Sequence, residues 1–292
     1  MIEHNHDHSR QTYDAAQTPT WCPGCGNFAI WIALKKALTR LHIPPHKVLI
    51  VFGIGCSGNE ANTIGGYGFH SLHGRAVPTA IGAKLANKDL TVIVAAGDGD
   101  SYGEGMGHFI HAVRGNVDIT YLVHDNGVYG LTTGQAAPTA QAGFKAKSTP
   151  EGLIDTAVNP IALALSAGSS FVSRGFSARP DHLSDVIAAA IQHKGFSLVD
   201  MFQPCVTFNK VNTYESYYQR IYNLQEEAGY TSHDFQAAFA KALEHDKLPI
   251  GVFYQDTERK SYDEELDYLG GRSLVSRPVA KRDIARLYRE FI

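Results

Sequence analysis

Leu90-Thr91-Val92-Ile93-Val94-Ala95-Ala96-Gly97-Asp98-Gly99-Asp100 carries the fold decision. Its first half is a β-branched apolar run, and its second half is an acidic glycine turn. Leu90–Ala95 has no polar side to give to water, so it reads as a strand buried on both faces. Five more runs share that character: Val48–Phe52, Ile119–His124, Ser170–Ser173, Phe196–Met201 and Ile250–Tyr254. All six are read as parallel strands. Helical patterns lie between them. Asn27–Leu41 places Phe28, Ile30, Trp31, Leu34, Leu38 and Leu41 on one stripe, and Thr79–Ala86, Met106–Val113, Asp181–His193 and His233–Leu243 follow. Asp181 and Ser232 are the expected helix caps. Strands alternating with helices predict an α/β fold, a parallel sheet with helices on both faces.

Without internal repeats or a Pro- or Ser-rich linker, one main domain is expected over 20–254. An N-terminal tail covers 1–19 and a C-terminal arm 255–292. The arm opens with the charge-dense Asp256–Asp267, which either is solvated or lies on a partner subunit. His4, His6 and His8 in the tail either bind a metal or are simply solvated. Across 292 residues, 44% are apolar and 19% charged, enough for a large core. The charge sum, 26 basic against 29 acidic residues, lacks the basic excess of a nucleic-acid surface. No apolar run reaches the roughly eighteen residues of a membrane span, and the N-terminus has no signal-peptide core. A cytoplasmic protein is expected.

Asp98 stands between two glycines at a strand end, where backbone can approach a ligand and a carboxylate can meet a hard cation. One strand later, Asn126 closes Ile119–His124 in His124-Asp125-Asn126-Gly127-Val128-Tyr129-Gly130. Neighbouring parallel strands would bring Asp98 and Asn126 side by side. A carboxylate, an amide oxygen and the Val128 carbonyl suit a magnesium ion that takes its other ligands from a diphosphate and water.

The chain has four cysteines. Cys22 and Cys25 form Cys-Pro-Gly-Cys, which has three readings: a redox pair, a zinc knuckle or an iron–sulfur site. Cys56 follows the strand Val48–Phe52, and Cys205 follows Phe196–Met201. Four thiols with none to spare complete a four-thiolate site, although ligand count alone does not separate zinc from iron–sulfur.

Gly97-Asp98-Gly99 followed by Asn126 looks like the thiamine diphosphate motif. Together with Thr20-Trp21-Cys22-Pro23-Gly24-Cys25-Gly26, Gly53-Ile54-Gly55-Cys56-Ser57-Gly58 and the segment from Tyr67 to Ala76, it resembles the β subunit of 2-oxoacid:ferredoxin oxidoreductases. The resemblance runs from about Thr20 to Thr213, with a further match to Tyr254 and beyond. It implies a thiamine diphosphate-binding, diphosphate-domain fold. It implies one 4Fe–4S cluster on Cys22, Cys25, Cys56 and Cys205, with Cys56 also beside the thiamine. Magnesium would sit on Asp98, Asn126 and Val128, with Gly97 and Gly99 along the diphosphate. His73 and Arg75 are candidates for diphosphate or substrate contacts, and Tyr129 and Leu131 for packing near the reactive ring.

The implied reaction is coenzyme A-dependent oxidative decarboxylation of a 2-oxoacid, reversible in principle, with ferredoxin as electron acceptor. The segments Tyr67–His70 and Leu72–Arg75 lean towards 2-oxoglutarate over pyruvate or a broad 2-oxoacid range. One departure concerns the substrate. The family often carries a basic residue just after the third cysteine, near the substrate carboxylate, whereas this chain has Asn59, which can only hydrogen-bond it. Nothing in the chain reads as the pyrimidine half of a thiamine site with its activating Glu. A larger α subunit, in an α₂β₂ heterotetramer, is therefore expected to supply that half, and the chain alone to be silent. Two rival readings are a non-redox thiamine diphosphate-dependent decarboxylase or synthase subunit and a non-enzymatic metal-binding assembly subunit.

Overall fold

The computed structural model describes residues 13–266, 270, 272–276 and 285–291. Among them, ten strands and eight α-helices are formed. The strands are β1 (Val48–Phe52), β2 (Tyr67–His70), β3 (Thr91–Gly97), β4 (Thr120–Asp125), β5 (Val128–Tyr129), β6 (Gln135–Ala136), β7 (Phe171–Phe176), β8 (Ser197–Phe202), β9 (Ile221–Asn223) and β10 (Leu248–Gln255). The helices are α1 (Asn27–Arg40), α2 (Ala76–Ala86), α3 (Met106–Gly115), α4 (Pro160–Ser166), α5 (Pro180–Gln192), α6 (Tyr214–Tyr218), α7 (Phe235–Ala242) and α8 (Ala285–Glu290). Eight strands make one sheet in the order β2-β1-β3-β4-β8-β7-β10-β9, and β5 and β6 form a separate hairpin.

Every residue of β4, β7 and β8 is buried, which accounts for their lack of alternation. On one face α1 and α5 pack together through Ile30, Leu34, Leu38, Leu183 and Ile187. Lys36 pairs with Asp181 and Arg40 with Asp185 at their solvent edge. On the other face Val77, Ala80, Phe109, Ala112, Ile161, Leu165 and Ala238 bring α2, α3, α4 and α7 onto the sheet. Helices thus cover both faces, as the alternation predicts.

The structure corrects several sequence expectations. β10 runs antiparallel to β7; a fully apolar run reports burial, not direction, and an antiparallel strand beside a parallel sheet is common. β2 is an edge strand with all four residues exposed, and β9 holds three residues, so neither carries an apolar run to read. Asp181 caps nothing: Arg179 holds the N-cap of α5 and Asp181 turns to Lys36. Asp234, not Ser232, caps α7, accepting from the Gln236 and Ala237 N–H groups.

The expected tail reaches further into the fold than position 20. Tyr13 is fully buried, with its hydroxyl on the Ile43 carbonyl, and Asp14 pairs with Lys35. The three tail histidines lie outside the described residues. The first part of the arm is fastened to the chain's own body. The Lys260 carbonyl accepts from Asn116 Nδ2 at 2.9 Å, Arg259 donates to the Arg114 carbonyl at 2.8 Å, and Ser261 is buried.

Candidate functional site

Parallel strands deliver all their carboxyl ends to one edge of a sheet, the usual ligand edge of open α/β folds. Here β1 runs out into Gly53–Cys56, β3 into Asp98, β4 into Asn126 and β8 into Gln203-Pro204-Cys205. β1, β3, β4 and β8 are successive neighbours, with Phe52 opposite Ala95, Gly97 opposite His124, and Asp125 opposite Phe202. The register therefore aligns the four loops side by side.

The expected pair, Asp98 and Asn126, is brought together. The Gly127 N–H and the Thr139 hydroxyl both donate to Asp98 Oδ2, the former at 2.8 Å. The Thr139 oxygen also lies 2.8 Å from Asp125 Oδ1, so one hydroxyl stands between two carboxyl groups. Burial pushes the Asp98 carboxyl up to about 6, against hydrogen bonds from Thr139, Gly127 and Gly99 that pull it down. Burial also raises Asp125 far above the usual range, with Asp200 and Asp98 adding repulsion. Asp100 Oδ1 accepts from the Ile54 and Gly74 N–H groups, each at 3.0 Å. His73 Nδ1 stands 2.9 Å from the same oxygen and 3.3 Å from Glu104 Oε2.

A cavity of about 70 Å³ opens among these loops, lined by Asp98, Asn126, Val128, His73, Gly97 and Gly99 among others. A Cβ on Gly97 would meet nothing nearer than Ser57 Oγ at 3.8 Å, so the missing side chain leaves room for a ligand. Gly99 is constrained differently: a Cβ there would enter the Tyr129 ring, 2.7 Å from Cδ1. Buried carboxyl groups with no lysine or arginine among the lining residues favour a divalent cation over a bare anion. Asp98, Asn126 and Val128 line the same cavity, and the carboxylate, amide oxygen and carbonyl they carry are hard-oxygen donors of the kind that could hold magnesium.

The four thiols come from three separate parts of the chain. Gly24, at φ +82°, turns the Cys22–Cys25 loop back on itself, and the Cys25 N–H closes the turn on the Cys22 carbonyl at 3.0 Å. Trp21 Nε1 donates to the Cys56 carbonyl at 2.7 Å, tying this loop to the end of β1. Gly130 brings the other two together: a Cβ there would lie 3.4 Å from Cys56 Sγ and 3.7 Å from Cys205 Sγ. All four thiols line a second cavity, of about 190 Å³. Burial drives Cys25 up to about 12 and raises Cys56, and neighbouring thiols reinforce both shifts. Three half-buried thiols with the exposed Cys22 at their edge form a cluster suited to a positively charged guest. Among the described residues no three His, Cys, Asp or Glu side chains gather closely enough to grip a single metal ion. Four thiols around one cavity are nonetheless a donor set that a zinc ion or an iron–sulfur cluster could take.

Cys56, Gly130 and Leu131 line both cavities. Tyr129 joins the first and Asn59 the second. Arg75 is exposed at the start of α2, its guanidinium 3.4 Å from the Gly74 carbonyl, and lines neither cavity. Three lining or supporting residues escape sequence reasoning. Thr139 lies in a loop beyond the β5–β6 hairpin, with no pattern to mark it. His124 is fully buried in β4, with Nδ1 2.9 Å from Asn27 Oδ1, and burial lowers it to about 3. Gln203 is the third; a lone amide immediately after an apolar strand and before Pro-Cys is a signal that could have found it.

Among known proteins, the thiamine pyrophosphate enzyme C-terminal TPP binding domain matches residues 53–201. The C-terminal region of the pyruvate ferredoxin oxidoreductase beta subunit matches residues 205–270. The 2-oxoacid:ferredoxin oxidoreductase subunit beta of Saccharolobus solfataricus is 46% identical over 258 residues, covering 84% of this chain and 85% of that one. The 2-oxoglutarate oxidoreductase subunit KorB of Mycobacterium tuberculosis is 42% identical over 197 residues, 68% of this chain and 53% of its own length. Among solved structures, a 2-oxoglutarate:ferredoxin oxidoreductase from Magnetococcus marinus, with 2-oxoglutarate, coenzyme A and succinyl-CoA bound, superposes with a TM-score of 0.89. It is 33% identical, and the match covers 99% of both chains.

Proposed function

Because the chain belongs to the β subunits of the 2-oxoacid:ferredoxin oxidoreductases, thiamine diphosphate-binding proteins of this fold, we propose that it joins a thiamine diphosphate–magnesium site to one 4Fe–4S cluster. The enzyme would decarboxylate a 2-oxoacid oxidatively, form the coenzyme A thioester and reduce ferredoxin. 2-Oxoglutarate is the favoured substrate, supported by the KorB relatives and by the Magnetococcus marinus structure. A larger α subunit would supply the pyrimidine half of the cofactor site. The single observation that carries this reading is the wall of Cys56, Gly130 and Leu131 shared by the two cavities. A site that oxidises a substrate needs its electron acceptor next door.

Thiamine diphosphate supplies the electron sink for decarboxylation, and an iron–sulfur cluster supplies one-electron storage. The chain's residues do the placing. Asp98, Asn126 and the Val128 carbonyl hold the cation that neutralises the diphosphate. The space beside Gly97 admits the diphosphate. Cys22, Cys25, Cys56 and Cys205 hold the cluster, Cys56 from the shared wall. His73, against Asp100 and Glu104, borders the cation side and is placed to donate to a phosphate oxygen or the substrate. Asn59 lies on the thiol side, and Arg75 on the outer surface is open to a partner. A cation for the substrate carboxylate would then come from the α subunit, because neither Asn59 nor His73 is a fixed positive charge.

The test is anaerobic co-purification with the α subunit, followed by iron, sulfide and thiamine analysis and a 2-oxoacid panel. The complex should hold about four iron per β chain, as a four-thiolate cubane requires. It should reduce ferredoxin or a viologen dye only with both a 2-oxoacid and coenzyme A, 2-oxoglutarate being turned over fastest. Equal turnover by this chain alone, or a complex without iron, refutes the proposal.

A further inference from the structure

One side chain touches both halves of this site. Gln203, 1% exposed at the end of β8, accepts at Oε1 from Asn126 Nδ2 at 2.8 Å. Its Nε2 points to Cys25 Sγ at 3.3 Å and to the Pro204 carbonyl at 3.1 Å. The orientation of the amide follows from chemistry. A carbonyl only accepts, so the Gln203 nitrogen must face Pro204, and its oxygen must then face Asn126. That choice fixes the next one. Asn126 must present its nitrogen to Gln203, leaving its oxygen to accept the Val128 N–H at 3.0 Å. The second lone pair of that oxygen remains for a cation. Gln203 is also packed in place. A Cβ on Gly26 would lie 2.9 Å from Gln203 Cγ and 2.7 Å from Ser177 Oγ, so the cysteine loop closes directly over it.

We propose that Gln203 is a positioning residue that bridges the two cofactor sites, aiming the Asn126 oxygen at the cation and hydrogen-bonding the Cys25 sulfur. The bridge rests on the function proposed above. Hydrogen bonds to cluster sulfurs spread the negative charge of the reduced state and raise its potential. Oriented second partners of a metal ligand typically change metal affinity by about 10–100-fold. Two variants separate the two ends. Gln203→Leu removes both bonds. Gln203→Glu keeps an acceptor for Asn126 and loses the donor to Cys25.

The measurements are made on the anaerobic α–β complex: an EPR-monitored redox titration of the cluster and the dissociation constant of thiamine diphosphate with magnesium. Q203L should shift the one-electron equilibrium about tenfold towards the oxidised form, about 59 mV lower in midpoint. The same variant should bind thiamine diphosphate about tenfold more weakly. Q203E should show the lower midpoint while keeping affinity within about twofold of wild type. If Q203L does not assemble, Q203M, unbranched and likewise unable to make either bond, takes its place, because the charge added in Q203E lowers the midpoint by itself. An unmoved midpoint in either variant, unmoved affinity in Q203L, or equal loss of affinity in both variants overturns the bridge. A wild-type complex without iron or thiamine overturns the proposed function, and the bridge with it. Failure of the variants beside an intact wild type overturns the bridge alone.

Discussion

Asp98→Asn should make the cation-free protein more stable and at the same time disable its cofactor site. Burial pushes the Asp98 carboxyl from its ordinary 3.8 up to about 6 in the fold. Keeping it ionised in the fold therefore costs roughly 3 kcal/mol, at about 1.4 kcal/mol per pH unit. The sign follows directly. The fold holds this proton more tightly than the open chain, so the cost is absent below about pH 4, accrues between 4 and 6, and is complete above. Asparagine has the same shape. Its amide oxygen can take the place of Oδ2 and accept the Gly127 N–H and the Thr139 hydroxyl. Removing the charge also relieves Asp125, which Asp98 repels.

Roughly 3 kcal/mol would raise the Tm of a 150–250-residue chain by about 6–12 °C and that of the larger α–β complex by less. Magnesium and thiamine diphosphate at about 100 times their dissociation constant should stabilise wild type by about 2.7 kcal/mol and leave the variant where it was. The assay is calorimetry of the α–β complex, stripped with a chelator or loaded, at about pH 8 and about pH 5. Stripped D98N should melt above stripped wild type at the higher pH, with the gap narrowing at the lower one. A stripped variant that melts below wild type at about pH 8, or one still stabilised by the cofactor, refutes the assignment of Asp98 as an unneutralised cation ligand.

Three further outcomes follow from the same geometry. Cys205→Ser should lose cluster iron as completely as Cys22→Ser, since both thiols line one cavity; intact iron in C205S removes Cys205 from the set. Gly99→Ala should push Tyr129 aside and destabilise the fold by about 1–3 kcal/mol in chemical denaturation, with weaker thiamine binding. Asn159→Ala should cost about 0.5–2 kcal/mol by removing the N-cap oxygen that accepts the Ala162 N–H and the amide that donates to the Ala242 carbonyl, with thiamine affinity unchanged, because no residue of α4 lines either cavity.

The parts of the fold legible in the sequence are those in which burial and chemistry coincide. β3 and β4 are almost wholly buried and run into Asp98 and Asn126, so strand, loop and candidate ligand lie along one line of residues. Where burial alone speaks, direction is lost, and β10 therefore reverses the expected orientation. Short edge strands such as β2 leave no pattern, because their side chains face outward. The caps of α5 and α7 illustrate a different limit: several acceptors lie within a few residues, and only backbone geometry chooses Asp234 over Ser232. Site residues divide in the same way. Cysteines announce themselves by rarity, whereas Thr139 and Gln203 matter through what they touch, and touching is settled by pairing between strands distant in sequence.

The position of β8 in the sheet has a temporal consequence. It lies between β4 and β7, both of which are made before it. During synthesis the sheet must therefore wait for a late strand to enter a gap between two earlier ones. Cys205 leaves the ribosome just behind that strand, when Cys22, Cys25 and Cys56 have long been exposed to the cell. Any cluster that needs all four thiols can only be loaded after β8 has been inserted. Until then the three waiting thiols are open to oxidants and to stray metals.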